Sequence, residues 1–184
     1  MSKIFINPGH APNGQPDPGA VNPITGLRES DVVAKVGGLV SKYLQSAECE
    51  TQVLQNNSLA KVVEAANQWC ADLFVSIHCN SVKDSKADGT ETWYCQGSSE
   101  GNALADYIQK QIIAALPLTD RGLKEAVPGI SGLYVLSNTD MAACLVELAF
   151  ISNAEDEHLL VTKQDDFARA VARGITDFLV KMPS

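Results

Sequence analysis

Strand-like and helix-like hydrophobic patterns alternate along the chain. The runs KIFIN at 3–7 and LFVSIH at 73–78 are short and apolar, which is typical of strands buried in a parallel sheet. Between such runs, apolar residues recur at helical spacing, as in Val32, Val33 and Val36. The pattern predicts strands at 3–7, 51–55, 73–78, 90–95, 133–137 and 143–150, and helices at 30–46, 58–71, 102–116, 155–161 and 165–180. This alternation predicts an α/β fold with a mainly parallel sheet.

Turn-forming residues mark the boundaries of these elements. Residues 11–26 are rich in Pro, Gly and Asn and predict a long surface loop. Ser30 is the predicted N-cap of the helix that follows, and Pro117 ends the helix at 102–116. Because no repeat, low-complexity tract or linker interrupts the pattern, one domain over 1–184 is expected.

Composition and charge narrow the function. The 184 residues are 45% hydrophobic and carry a formal net charge of −8, so binding to nucleic acid or an anionic membrane through bulk charge is not expected. No apolar run reaches the ~20 residues that span a bilayer. The five cysteines form no CxxC pair and the amino terminus does not resemble a signal peptide, so synthesis in a reducing cytoplasm is expected.

Four residues suited to metal binding and proton transfer lie near strand ends or in the long loop. His10 follows the first predicted strand, His78 ends the third, and Glu147 lies within the last. Glu29 stands at the end of the long loop. Since ligands of open α/β sheets gather at the carboxyl ends of the strands, these side chains are expected to meet there.

Each of the four also has a purely structural interpretation. His10 alone would suit an exposed loop, and His78 a hydrogen-bonded core position. Glu29 at a helix start interacts favourably with the helix dipole. Glu147 could form a buried ion pair, but its apolar neighbours along the strand make a catalytic role the better interpretation.

Taken together, two imidazoles and two carboxylates suit zinc-assisted hydrolysis. Catalytic zinc takes three protein ligands and leaves a position for water. Two histidines and one carboxylate supply these ligands, and the second carboxylate remains for proton transfer. Composition and periodicity leave open which carboxylate has which role.

Longer motifs surround these four residues. They are NPGHAPNGQPDPGA, GLRESDV, AANQWCADLFVSIHCNS, DGTETWY, DRGLKE and LYVLSNTDMAACLVELAFISNAED, followed by the closing helix AVARGITDFL. In this order they resemble the zinc-dependent N-acetylmuramoyl-L-alanine amidases of the type 3 family. The resemblance extends from about Lys3 to Leu179.

The resemblance implies roles for the individual residues. It implies that His10, Glu29 and His78 bind one zinc ion and that Glu147 is the catalytic acid/base. The implied reaction is hydrolysis of the amide between N-acetylmuramic acid and L-alanine in peptidoglycan, as endolysins and autolysins perform it. The implied fold is a twisted, mostly parallel six-stranded sheet with helices on both faces.

The chain departs from the family pattern in two places. The first motif usually reads D-P-G-H-G, whereas Asn7 and Ala11 stand at its edges here. We expect Asn7 to change the hydrogen bonding around His10. Some family members carry an inhibitory helix after the strand at 90–95, and none is expected in this chain.

Two other functions remain open, and two further residues are candidates for substrate contacts. Asn80 and Arg121 are the candidate substrate-binding residues. A zinc carboxypeptidase-like peptidase could use the same four residues, with Arg28 or Arg121 binding a terminal carboxylate. A wall-binding module without turnover is the other alternative, although the presence of all four residues argues against it.

The negative charge also bears on how the substrate is reached. Because bacterial walls are largely anionic, long-range attraction will not hold this domain on its substrate. Recognition is expected from contacts in the groove, or from a separate wall-binding domain outside this chain. We expect the protein to act on the cell wall, either as a phage lysin released at lysis or as part of a secreted enzyme.

Overall fold

A computed structural model describes residues 1–130 and 133–181. Six strands form one sheet with helices on both faces, which confirms the predicted fold class. The strands are β1 Lys3–Pro8, β2 Glu50–Val53, β3 Leu73–Asn80, β4 Thr90–Cys95, β5 Asp120–Ala126 and β6 Ala142–Phe150. The helices are α1 Glu29–Ser46, α2 Leu59–Gln68, α3 Ser99–Ala115, α4 Tyr134–Asn138, α5 Ala154–Thr162 and α6 Gln164–Lys181. None of these helices is long and apolar enough to cross a membrane.

The strand order is β2-β1-β3-β6-β4-β5. All neighbouring strands are parallel except β4 and β6, which are antiparallel. The central strands β3 and β6 are almost entirely buried, as their continuous apolar sequences predict. Because β1, β3 and β6 are parallel neighbours, their carboxyl ends meet at one edge of the sheet.

The two faces of the sheet bury separate hydrophobic clusters. One face, with Ile6, Val75 and Val146, packs against α1, α3 and α6. The other face contains Phe5 and Phe74, whose rings stack with their centroids 5.7 Å apart. Cys79 and Cys144 both lie in the first cluster, as strand alternation predicts.

Two elements differ from the sequence prediction. Residues 133–137, predicted as a strand, lie mostly in the short helix α4, which packs against α2. Strand β5 was not predicted, because this strand at the end of the sheet carries charged and largely exposed residues rather than an apolar run. Local sequence pattern identified neither element, since contacts with distant parts of the chain determine both.

The start of α1 also differs from the prediction. The helix begins at Glu29, with Arg28 at the N-cap position, so the prediction of Ser30 as N-cap is wrong. The backbone N–H groups of Glu29 and Ser30 donate instead to the carbonyls of Ala20 and Pro18. The long loop thus replaces a side-chain cap and places Glu29 facing the sheet.

The connection from β4 to α3 is short. Only residues 96–98 separate them, and the Ser98 hydroxyl caps α3 by accepting a hydrogen bond from the Gly101 N–H at 3.0 Å. This connection has no room for an additional helix, as expected from the sequence.

Candidate metal centre

His10, Glu29 and His78, which are far apart in sequence, meet at the carboxyl edge of the sheet. His10 lies in the turn after β1, Glu29 is the first residue of α1, and His78 lies near the end of β3. Glu29 Oε1 is 3.0 Å from His10 Nε2 and 2.9 Å from His78 Nδ1. One donor atom from each residue lies within 4.8 Å of the others.

The donor atoms fit a small divalent cation. Zinc bonds to imidazole nitrogen and carboxylate oxygen at about 2.0–2.2 Å, so its tetrahedral ligands lie roughly 3.3 Å apart. The Glu29-to-histidine distances need only a small adjustment to reach this spacing. Two histidines and one carboxylate leave a fourth position free, which is the composition of a catalytic zinc site.

Glu29 is also held by backbone groups. Its Oε1 accepts a hydrogen bond from the Cys79 N–H, and its Oε2 accepts one from the Ala20 N–H, both at 2.9 Å. The residue is only 4% exposed. The carboxylate is therefore fixed between strand β3 and the long loop before any ion binds.

Asp17 orients the ring of His10. Its Oδ2 lies 2.8 Å from His10 Nδ1, while Oδ1 accepts a hydrogen bond from the Gly19 N–H. Nδ1 is thereby directed toward Asp17, and Nε2 points toward Glu29. A carboxylate on the far nitrogen of a metal-binding histidine is a recurring feature of zinc sites, and the sequence analysis did not identify Asp17.

Two glycines allow the chain to approach the centre closely. A Cβ atom at Gly9 would lie 2.2 Å from His78 Cε1, and one at Gly19 would lie 2.6 Å from both Glu29 Oε2 and His10 Cδ2. His10 itself has a φ of 67°, in the left-handed region that residues with a Cβ rarely adopt. The sequence Pro-Gly-His thus bends tightly enough to bring His10 against His78, with ring centroids 5.0 Å apart.

The electrostatics of the centre favour charged groups in the protein without metal. Burial lowers the pKa of His10, but the hydrogen bonds and charges of Glu29 and Asp17 outweigh it and raise this pKa to about 9. Burial raises the pKa of Glu29, but His10 and His78 lower it far below its usual range. The site therefore holds an anionic carboxylate ready to balance a cation.

Glu147 lies beside this centre. It is the register partner of His78 across β3 and β6. Its Oε2 is buried and finds no hydrogen-bond partner within residues 1–130 and 133–181. Burial raises the pKa of Glu147 to about 7, with smaller effects from His78, Glu29 and Glu91.

A second buried glutamate, Glu91, lies on the other side of Glu147. It is the register partner of Glu147 across β4 and β6 and is 4% exposed. Its Oε1 accepts hydrogen bonds from Asn80 Nδ2 and Trp93 Nε1, and Oε2 accepts one from Arg121 Nε at 2.8 Å. The predicted substrate residues Asn80 and Arg121 are thus brought together by a residue that the sequence analysis missed. Its signal was a carboxylate within the strand TETWYC.

Asn7, at the edge of the first motif, does not contact the ring of His10. The Asn7 amide donates to the Leu54 carbonyl, and Asn7 Oδ1 accepts from the Ser76 hydroxyl, so Asn7 binds the neighbouring strands rather than the His10 ring. The side chain that contacts the His10 ring at Nδ1 is that of Asp17.

A cavity of about 270 Å³ opens beside the two histidines. The residues that line it are Asn7, Gly9, His10, Asp17, Asn56, Asn57, Leu59, His78, Leu133, Tyr134, Val135 and Leu145. Leu59 and Tyr134 are 44% and 43% exposed, so apolar surface is accessible at its rim. The cavity can take an extended, largely uncharged group next to the metal centre.

Comparison with known proteins adds independent information. A family model described as N-acetylmuramoyl-L-alanine amidase matches residues 4–177. The N-acetylmuramoyl-L-alanine amidase LytC of Bacillus subtilis is 34% identical over 183 residues, which cover 95% of this chain and 35% of LytC. The endolysin of Bacillus phage SPP1 is 35% identical over 187 residues, which cover 95% of this chain and 64% of the endolysin. The chain thus spans less than two thirds of either relative.

A solved structure of an amidase is also similar to this chain. The N-acetylmuramoyl-L-alanine amidase AmiC2 of Nostoc punctiforme superposes with a TM-score of 0.86 at 30% identity, covering 97% of both chains. The similarity therefore extends over nearly the whole chain.

Proposed function

The chain belongs to the N-acetylmuramoyl-L-alanine amidase family, and from this premise we propose that it hydrolyses the amide between N-acetylmuramic acid and L-alanine in peptidoglycan with one bound zinc ion. The family predicted from the sequence is confirmed. In the proposal, His10, Glu29 and His78 hold the metal and Glu147 transfers protons. The chain acts as one catalytic domain on the cell wall.

The observation that carries the proposal is the pairing of a three-residue metal site with a separate buried carboxylate. Glu29 contacts both histidines, so it belongs to the metal site. Glu147 lies next to His78, and its Oε2 has no partner in the described chain. These positions support the assignment of metal binding to Glu29 and of proton transfer to Glu147, a choice that sequence patterns left open.

Glu91 is unsuited to the proton-transfer role. Both of its oxygens already accept hydrogen bonds, from Asn80, Trp93 and Arg121. Its carboxylate is therefore engaged in holding these three side chains. Glu147 lacks such bonds at Oε2 and has a pKa near neutrality, which suits a group that accepts and then donates a proton.

The reaction follows from these positions. A zinc ion bound here would polarise the amide carbonyl and lower the pKa of a water molecule. Glu147 accepts a proton from the attacking water and delivers it to the nitrogen of the leaving L-alanine as the bond breaks. Asp17 keeps His10 Nε2 directed at the centre throughout, and the cavity beside His10 orients the substrate.

The decisive experiment combines metal analysis with product analysis. The wild-type protein should bind about one zinc ion per chain and release free alanine amino groups from muropeptides without new reducing sugar ends. Glu147→Gln should keep the zinc and lose about 10²–10⁴-fold in turnover, the contribution typical of general acid–base catalysis. Glu50→Gln, which changes an exposed glutamate on β2, is the matched control and should behave as wild type.

Three results would overturn the proposal. Loss of zinc from Glu147→Gln would make Glu147 a metal ligand. Cleavage of plain peptides in preference to muropeptides would favour a carboxypeptidase-like enzyme. Wall binding without hydrolysis in excess zinc would indicate a binding module.

A further inference from the structure

Four ionisable side chains form a row across four neighbouring strands of the sheet. His78 on β3 pairs in register with Glu147 on β6, and Glu147 pairs with Glu91 on β4. Arg121 on β5 contacts Glu91 and completes the row. Since neighbouring strands lie about 4.8 Å apart, the strand of Arg121 is roughly 10 Å from that of Glu147. The row thus extends from the metal centre to the positively charged side chain of Arg121.

A β-bulge places Arg121 in this row. Thr90 pairs with Asp120 and Thr92 pairs with Leu123, so Arg121 and Gly122 together face Glu91. Gly122 has a φ of 73°, which favours glycine. A bulge beside a functional site commonly redirects a side chain, and here the guanidinium is directed to Glu91.

A second irregularity, in the pairing of β3 with β6, supports the same guanidinium. His78 pairs with Glu147 but Asn80 pairs with Phe150, so β6 has one extra residue between these pairs. The Arg121 guanidinium lies 4.8 Å from the centroid of the Phe150 ring. Such a cation–π contact fixes the plane of the guanidinium as well as its position.

The guanidinium keeps donor capacity for another group. Its Nε donates to Glu91 Oε2, and Nη1 donates to the Asp88 carbonyl at a long 3.4 Å. Nη2 has no hydrogen-bond partner among the residues that the structure describes. The Arg121 side chain is 36% exposed, whereas that of Glu91 is 6% exposed. Glu91 therefore binds one edge of the Arg121 guanidinium, and the other edge faces solvent.

We propose, on the basis of the proposed function, that Arg121 binds the carboxylate carried by the stem-peptide residue that follows L-alanine. An extended peptide advances about 3.4 Å per residue, so this carboxylate lies about 7 Å from the scissile nitrogen. Although the strands of Glu147 and Arg121 lie roughly 10 Å apart, the Arg121 side chain turns back to Glu91 on the strand between them, which brings the guanidinium within reach of such a carboxylate. Arginine is well suited to the task, because its planar guanidinium forms paired hydrogen bonds with carboxylates.

The opposite end of the row suits the sugar. Besides His10, His78 and Asp17 of the metal centre, the cavity is lined by amides, an aromatic ring and apolar side chains, including Asn56, Asn57, Leu59 and Tyr134. No lysine or arginine lines it among the described residues. These groups match the neutral N-acetylated sugar rather than the anionic peptide. The substrate thus lies across the strands, with its peptide toward β5 and its glycan toward α2 and α4.

The test compares two substrates that differ in a single group. They are N-acetylmuramoyl-L-alanyl-D-glutamate with a free α-carboxylate and the same compound with that group amidated. Wild type should favour the acid by about 10- to 100-fold in kcat/KM, the range expected of one charge-assisted contact. Arg121→Gln should bring the ratio close to 1, and Arg173→Gln, an exposed arginine on α6 paired with Asp177, should leave it unchanged.

Two further measurements keep the test sharp. Because Arg121→Gln leaves the buried Glu91 without its cation, the double variant Glu91→Gln/Arg121→Gln provides a neutral pair and should show the same loss of preference. In the Glu147→Gln background, calorimetry should show about 10-fold tighter binding of the acid than of the amide, independent of turnover.

The outcomes separate this inference from the proposed function. Hydrolysis with an acid-to-amide ratio near 1 in wild type, or a ratio that Arg121→Gln leaves intact, would overturn the inference alone. Tighter binding of the acid without any hydrolysis would overturn the proposed function and uphold the inference. Absence of both hydrolysis and discrimination would overturn both.

Discussion

His10 Nδ1 lies 2.8 Å from Asp17 Oδ2, and this contact determines which nitrogen of the ring faces Glu29 and His78. Asp17 is half-exposed, with 44% of its side chain accessible, and belongs to the loop between β1 and α1. It contributes little to the hydrophobic core. Its principal effect is therefore on the orientation of one metal-binding ring.

Replacement of Asp17 should weaken metal binding more than it weakens the fold. In Asp17→Asn and Asp17→Ala the ring of His10 loses its charged partner, and zinc affinity should fall about 10- to 100-fold, as is common for such partners. Chelator competition measures this affinity. Asp106→Asn, which removes an exposed partner of Lys110 on α3, should leave zinc affinity unchanged. Equal zinc affinity in wild type and Asp17→Ala would contradict the role of Asp17.

Replacement by alanine should have opposite effects on stability at two glycines of this chain. Gly9→Ala places a methyl group 2.2 Å from His78 Cε1, and the Gly9 N–H is tied to the Ile77 carbonyl, so the backbone cannot move away easily. We expect a loss of about 1–3 kcal/mol in the free energy of unfolding, together with a large loss of zinc affinity. Gly38→Ala, in an open position on α1, should raise stability by about 0.5–1 kcal/mol. Urea unfolding and zinc titration of both variants check this pair, and wild-type zinc affinity in Gly9→Ala would contradict it.

The sequence predicted the buried strands and long helices because their hydrophobic periods are strong. It missed β5 because four of its seven residues are charged and it depends on pairing with β4. It predicted a strand at 133–137 because aromatic and β-branched residues favour strands, whereas packing against α2 makes most of this segment the helix α4. Both errors come from tertiary contacts that a local pattern does not contain.

Two of the predicted site residues share a signal that Asp17 lacks and Glu91 shows weakly. His78 and Glu147 are polar residues in apolar strands, so each demanded an explanation. Asp17 lies in a loop where aspartate is common, and nothing local distinguished it. Glu91 carried the same signal as Glu147, although its strand is short and flanked by threonines.

The buried carboxyl of Glu147 should make the metal-free protein less stable at high pH. Burial raises its pKa from 4.5 to about 7, so the folded protein keeps a proton that the unfolded chain releases. Stability from this group is fully present below pH 4.5 and is lost as pH rises through 7, by at most about 3 kcal/mol.

Glu147→Gln removes this titration. In chelator-treated protein, the variant and wild type should have similar free energies of unfolding near pH 4, and the variant should be more stable by up to about 3 kcal/mol near pH 8. Denaturant unfolding at both pH values measures the difference. A difference in the free energy of unfolding between variant and wild type that does not change with pH would show that Glu147 is not buried as a neutral acid.

Ser30 allows the sequence interpretation and the structural one to be compared directly. As the N-cap predicted from sequence, Ser30 would stabilise α1, and Ser30→Ala would cost about 1 kcal/mol. In the structure Ser30 is 1% exposed, its hydroxyl has no hydrogen-bond partner among the described residues, and its backbone N–H is bonded to the Pro18 carbonyl. Removal of a buried, unpaired hydroxyl removes its desolvation penalty, so Ser30→Ala should raise the free energy of unfolding by about 1 kcal/mol.

A true N-cap elsewhere in the chain provides the matched control. Ser98 accepts a hydrogen bond from the Gly101 N–H at the start of α3, so Ser98→Ala should lower the free energy of unfolding by about 1 kcal/mol. Urea unfolding measures both changes, provided that the variants and wild type depend equally on urea concentration. The free energy of unfolding should then change in opposite directions in the two variants. A loss of stability in both would mean that the Ser30 hydroxyl caps α1 after all. The start of α1 also carries Glu29, so such a result would remove the argument that loop carbonyls, rather than a serine cap, place this carboxylate between the two histidines.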